Sequence, residues 1–108
     1  MSRIELLQGT LDLLILTVLN GGPRHGFAIA QRIHELSEDV LTVEEGSLYP
    51  ALYRIEQKGW IASEWGLSEN KRRAKFYHLT RAGRRQLEAE TDGWERMSLA
   101  IRQVIQSA

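Results

Sequence analysis

The sequence predicts a mainly α-helical domain with a small two-stranded β wing near its middle and a long C-terminal helix, and three observations carry that prediction. Helical patterns of apolar residues fill most of residues 9 to 58 and return from Leu87 to Val104. Between them lie two short β-like segments, IASEW at 61 to 65 and KFYHL at 75 to 79, joined by a polar loop that holds Gly66, Asn70 and several cations. Glycine and proline punctuate the chain at Gly21, Gly22, Pro23 and Gly59, where the patterns change.

The first helix is expected over residues 9 to 19, where Leu11, Leu13, Leu14, Ile15, Leu16, Val18 and Leu19 make it apolar on nearly every side. Such a helix belongs at the centre of a domain or at a subunit contact. Asn20, Gly21, Gly22 and Pro23 end it. A second helix over about 25 to 37 carries Phe27, Ala30, Ile33 and Leu36 at steps of three, read as its inward face, with His25 and Gly26 at its capped start. The third helix runs up to Gly59. Proline is favoured in a first helical turn, so Pro50 implies a cap at Ser47 or slightly earlier, and Thr42 with Glu45 offers a second capping spacing. Leu48, Leu52 and Ile55 form its buried stripe, which leaves Ser47, Tyr49, Pro50, Tyr53, Arg54 and Lys58 on the polar face and its margins. The wing follows, with a loop of about nine residues. Thr80 then caps a last helix reaching about residue 106, in which Leu87, Trp94, Met97, Ile101 and Val104 fall at the spacing of a helix-helix seam.

Composition bounds what such a domain can do. At 108 residues the chain is expected to form one domain with a modest core. It has no cysteine, which excludes disulfides and thiolate metal sites. The longest nearly apolar run, LLILTVL at 13 to 19, is far short of the roughly 20 residues of a membrane span. With no secretory leader read in the first residues, a soluble cytoplasmic protein is expected. His25, His34 and His78 fall on different elements, and neither an HExxH pair nor a glycine-rich phosphate loop occurs, so no enzyme, metal site or cofactor is expected.

Net charge is zero, with 14 basic and 14 acidic residues, yet the charges are segregated. Lys71, Arg72, Arg73, Lys75, Arg81, Arg84 and Arg85 lie in one stretch without an acid, whereas residues 35 to 69 hold eight acids. A field concentrated on one segment attracts phosphate even when the total cancels. A polar-faced helix followed by a basic hairpin is the arrangement that reads DNA. Ser47, Tyr49 and Tyr53 are expected at base edges or nearby backbone, with Arg54 either gripping DNA or ion-paired to Glu56 or another nearby acid. Lys71, Arg72, Arg73 and Lys75 are expected on phosphate. Trp94, at an apolar seam position, is expected to fill a dimer core.

Together these elements describe a winged helix-turn-helix, and four blocks resemble the PadR family of transcriptional regulators: GTLDLLIL at 9 to 16, GPRHGFAIAQRI at 22 to 33, GSLYPALYRIEQKGWI at 46 to 61, and RRAKFYHLTRAG at 72 to 83. With one helix after the wing, the chain is similar to the family's short class. The resemblance implies a winged helix-turn-helix DNA-binding unit over 1–80 and a dimerisation helix over 81–108 within a single domain. It further implies a homodimer whose third helix, including Ser47, Tyr49, Pro50, Tyr53 and Arg54, enters the major groove while the wing meets backbone or minor groove. Repression is the family's usual outcome, and in some short members a tryptophan on the last helix stacks on flat hydrophobic effectors, which implies as the alternative role of Trp94 an effector site with Met97 and their symmetry mates, Leu6, Leu7 and Leu14 being less certain walls. The partners expected are therefore a near-palindromic DNA operator, a second copy of the chain and a small aromatic effector. The competing readings are a winged-helix protein-interaction module and a DNA binder without sequence choice.

Overall fold

A computed structural model describes residues 8–108. In chain order these form α1 (Gln8–Leu19), β1 (Arg24–His25), α2 (Gly26–Leu36), α3 (Glu45–Gln57), β2 (Ile61–Leu67), β3 (Arg73–Leu79) and α4 (Arg81–Ser107).

The apolar α1 lies in the middle of the domain, packed against α2, α3 and α4, and its Ile15 and Leu16 are wholly buried. The Asn20, Gly21 and Gly22 amides close its C-terminus on the Leu16, Val18 and Leu19 carbonyls. Gly22 takes φ 137°, open to glycine at no cost. α2 starts where His25 accepts the Ala28 amide on Nδ1 at 3.3 Å. Of the four residues expected on its inward face, only Ala30 and Ile33 face the core. Ile29 and Ile33 enter the core, whereas Phe27 and Leu36 are exposed, because a step of three repeated along an α-helix drifts off a 3.6-residue period.

The core closes where Leu48, Ala51, Leu52 and Ile55 of α3 meet α1, together with Ile61, Tyr77 and Leu79 of the sheet. The expected stripe is present, but the helix starts earlier: its N-cap is Glu44, and Pro50 is the sixth helical residue, beyond the first turn. A proline there removes the amide that would meet the Gly46 carbonyl. Gly46 and Pro50 both lie on the exposed side, where water can take that bond. Gly59, at φ 77°, stops the helix as expected.

The wing has three strands instead of two. β1 is a two-residue strand that pairs with β3, and the antiparallel order is β1-β3-β2. β2 and β3 are longer than the sequence suggested, so the connecting loop shrinks from about nine residues to 68–72. Ser68 and Lys71 close it tightly, with Lys71 in the left-handed region at φ 57°. Thr80 caps α4 by accepting the Gly83 amide at 3.0 Å and donates to the Gly59 carbonyl, so one side chain joins the α3 exit to the α4 entry. From there α4 runs for 27 residues, about 40 Å.

Candidate nucleic-acid interface

α3 presents its polar side beside the wing. Ser47, Tyr49, Pro50 and Tyr53 are all exposed, Tyr53 at 66%. Tyr49 and Tyr53 are one turn apart on the same ridge. The Tyr49 ring lies against Gly26 so closely that a methyl group added there would sit 2.9 Å from the ring edge and 3.0 Å from the hydroxyl oxygen. The phenol thus spans the crossing of α2 and α3 while keeping 47% of its surface open. Phe27, not assigned outward by the spacing, is 65% exposed and lines a shallow cleft with Tyr49, Gln31 and Thr42.

Arg54 points elsewhere. Its Nη2 donates to Asp12 Oδ1 at 2.5 Å, and the Asp12 side chain keeps only 8% of its surface. The ion pair is therefore with α1 and not with Glu56, and it ties α3 to the centre of the core. Glu56 is engaged differently, accepting Ser63 Oγ at 2.5 Å and lying 3.7 Å from Lys75 Nζ. Asp12 was invisible to the sequence reading because an acid amid leucines carries no mark of its partner 42 positions away.

In the wing, Lys71, Arg72 and Arg73 are exposed, and the Arg73 guanidinium stands 4.5 Å over the Trp65 ring. Lys75 is half-buried between Glu56 and the Tyr77 ring, so it is less free than the other three. Burial pushes the Tyr77 phenol above its ordinary value, and the nearby Glu56 and Tyr49 add to the shift. Trp65 and Leu67 went unassigned in the sequence, since periodicity alone does not tell a wing's outer strand positions from buried ones. The two tyrosines of α3 and the basic wing offer exposed hydrogen-bonding rings, two exposed loop cations and two cations held by Trp65 and Glu56.

A second feature lies between α1 and α4, a cleft of about 530 Å³ lined by Gly9, Thr10, Leu13, Gln86, Glu90, Gly93, Trp94 and Met97 among others. Trp94 and Met97 thus share a cleft with Leu13 of α1, while Leu14 packs toward the core. Leu6 and Leu7 lie outside the described residues. Leu87, expected on a seam between copies, packs against the chain's own core, while Trp94, Met97, Ile101 and Val104 remain exposed along α4. Among the described residues there is no cluster of metal-ligating side chains, and no helix is long and apolar enough to cross a membrane.

Comparison with known proteins fits this arrangement. A family model described as the PadR-like transcriptional regulator family matches residues 15–89. The structure of a transcriptional regulator from Clostridium thermocellum is 29% identical and superposes with a TM-score of 0.81, covering 89% of this chain and 93% of that one. A PadR family transcription regulator from hypervirulent Clostridium difficile is 32% identical with a TM-score of 0.76, over 88% of this chain and 97% of that one. A 37.1 kDa protein from a transposon of Streptomyces fradiae is 40% identical over 87 residues, 81% of this chain but only 24% of that protein, so the chain spans about a quarter of that relative's length. Since the matched span runs from the buried heart of α1 through α3 and the wing into α4, the chain belongs to the PadR-like family of transcriptional regulators.

Proposed function

We propose that this chain is a sequence-specific DNA-binding repressor that acts as a homodimer on a near-palindromic operator and is released by a flat, apolar effector. The observation that carries the reading is that α3 exposes Ser47, Tyr49 and Tyr53 while the wing, joined to α3 through Glu56, exposes Lys71, Arg72 and Arg73. An α-helix about 10 to 12 Å across fits a major groove about 12 Å wide, and tyrosine hydroxyls and ring faces meet base edges, thymine methyls and sugars there. The wing cations meet phosphate, fixing register without reading sequence. Two such heads about 34 Å apart, one helical turn of DNA, require a site of matching symmetry.

Release by an effector is supported by the position of α1. Leu13 lines the α1/α4 cleft while its neighbour Asp12 holds Arg54 of α3, so a ligand between Leu13 and Trp94 presses on the helix that anchors the reader. Trp94 offers a flat face for stacking, and the flexible Met97 adapts to the ligand's outline.

The test is a mobility shift on DNA from upstream of the protein's own gene, with excess nonspecific competitor. A discrete complex should form, weaken at least tenfold with Tyr53→Ala or with Arg72→Ala and Arg73→Ala combined, and dissolve with some member of a panel of planar aromatic compounds. Complexes that competitor abolishes indicate binding without sequence choice, and no complex on that DNA or on duplexes selected from a random pool removes the DNA-reading assignment.

A further inference from the structure

The face of the wing that looks toward α3 carries a surface beyond the residues assigned so far. Residues directly opposite each other in an antiparallel pair share a face, and the register sets Trp65 against Lys75 and Leu67 against Arg73. Ser63 and Tyr77 belong to the same face nearer the core, and Ser63 and Lys75 both meet Glu56, which fixes that face beside the reading helix. Past this anchored base the strands run on into solvent. There Trp65 is 60% exposed and Leu67 70% exposed, with the Arg73 guanidinium stacked 4.5 Å from the centre of the indole ring.

Two large apolar side chains at the outer end of a small wing form a surface that favours being covered. The charge around them selects the cover. Lys71 and Arg72 in the adjoining loop and Arg73 on the strand outweigh the loop's Glu69, while Lys75 is offset by Glu56, so the patch is cationic and complementary to a polyanion. A bare phosphodiester strand would satisfy the cations but leave the indole and the leucine wet. The DNA minor groove offers both, an enhanced negative potential at its floor and apolar sugar edges along its walls, and it admits arginines and apolar wedges alike. Stacking on a rigid ring also removes rotamer freedom from Arg73 before DNA arrives, which reduces the ordering cost of inserting it.

We propose that Trp65 and Leu67 contact DNA, seating on the sugar walls of the minor groove that flanks the segment read by α3, with Trp65 holding Arg73 toward the groove floor. The proposal rests on the DNA-reading assignment above and adds to it a preference for narrow, A·T-rich flanks outside the bases that α3 meets.

The experiment uses the full-length chain and duplexes that it selects from a random pool. Trp65→Ala should weaken binding about tenfold while leaving the dependence on salt unchanged, because no charge is lost; Trp65→Phe should keep most of the affinity. Arg73→Lys, which keeps the charge but loses the planar stack, should also weaken binding and flatten the flank preference. Replacing flanking A·T pairs with inosine·cytosine pairs, which present the same minor-groove pattern, should be tolerated, whereas replacing them with G·C pairs should not. Equal affinity of the Trp65→Ala chain and the native chain for a selected duplex overturns this proposal alone, even if the exposed ring then turns out to dock a protein. A chain that selects no duplex overturns the DNA-reading assignment and this proposal with it. Circular dichroism melts confirm that each variant is folded before its affinity is compared.

Discussion

Tyr49 can lie across α2 only because residue 26 has no side chain: a Cβ there would sit 2.9 Å from the ring, inside any contact real side chains tolerate. The ring is partly exposed and can swing outward, so the clash relieves itself by moving the reader instead of unfolding the domain. Gly26→Ala should therefore weaken operator binding about tenfold, or about 1.4 kcal/mol, in a mobility shift, while thermal stability holds or rises slightly because alanine is the better helix former by up to about 1 kcal/mol. Affinity and stability moving in opposite directions separates a displaced Tyr49 from general damage, and unchanged affinity would show that the ring's position does not matter to DNA. Arg54 illustrates the converse at the same scale. Its sequence position on the polar margin of α3 suited a DNA contact, but its partner Asp12 lies on α1, and a pairing across 42 positions leaves no local spacing to read.

At the scale of elements, α4 is fixed by a near-contact of its first turn with the loop between α3 and β2. A Cβ on Gly83 would fall 1.9 Å from the Trp60 carbonyl oxygen and 2.8 Å from Leu79 Cδ1, and the obstacle is backbone that cannot step aside. The Thr80 amide donates to that same Trp60 carbonyl, so the loop is held from both sides. Gly83→Ala should destabilise the fold by about 3 kcal/mol, the upper end of ordinary overpacking, and lower the melting temperature by about 12 to 24 °C for a domain of this size. A differential scanning calorimetry shift of only a few degrees would mean that α4 can re-dock. Much of this element map was legible in the sequence, because Leu48, Leu52 and Ile55 repeat at helical spacing and Gly59 and Thr80 are local signals that act where they stand. The parts that were not legible depend on contacts distant in the chain. β1 is a strand only because β3 passes beside it, and α2 turns Ile29 inward and leaves Phe27 and Leu36 in solvent because of where α1 and α3 lie. The start of α3 was misplaced because Pro50 was given a first-turn position, while solvent on its exposed side lets it sit one turn further in.

The described residues span 54 × 33 × 21 Å, and α4, 27 residues long, leaves the core over its second half. Trp94, Met97, Ile101, Val104 and Ile105 are all about half exposed or more in the single chain. Trp94, Met97, Ile101 and Val104 are spaced by three, four and three, the pattern that buries itself against another helix. A charge placed in the middle of such a seam is desolvated without a partner, a cost of several kcal/mol. Ile101→Glu, far from α3 and the wing, should therefore turn the proposed dimer into a monomer in sedimentation velocity at micromolar concentration, with α1 to β3 still folded. The electrostatics of DNA binding then supply a second readout. Lys71, Arg72 and Arg73 are exposed while Lys75 is held by Glu56, which leaves about three cations per copy to displace counterions, Lys71 and Arg72 at phosphate and Arg73 from the groove. At about 0.9 counterions released per phosphate, log affinity should fall against log salt with a slope near five for the dimer and near three for the monomer. A slope that stays near five in a proven monomer would mean that phosphate is met by cations outside the wing, Arg81, Arg84 and Arg85 being the next in line. A native chain that sediments as a monomer would remove the symmetric operator from the proposal, since one reading head has no symmetry to match.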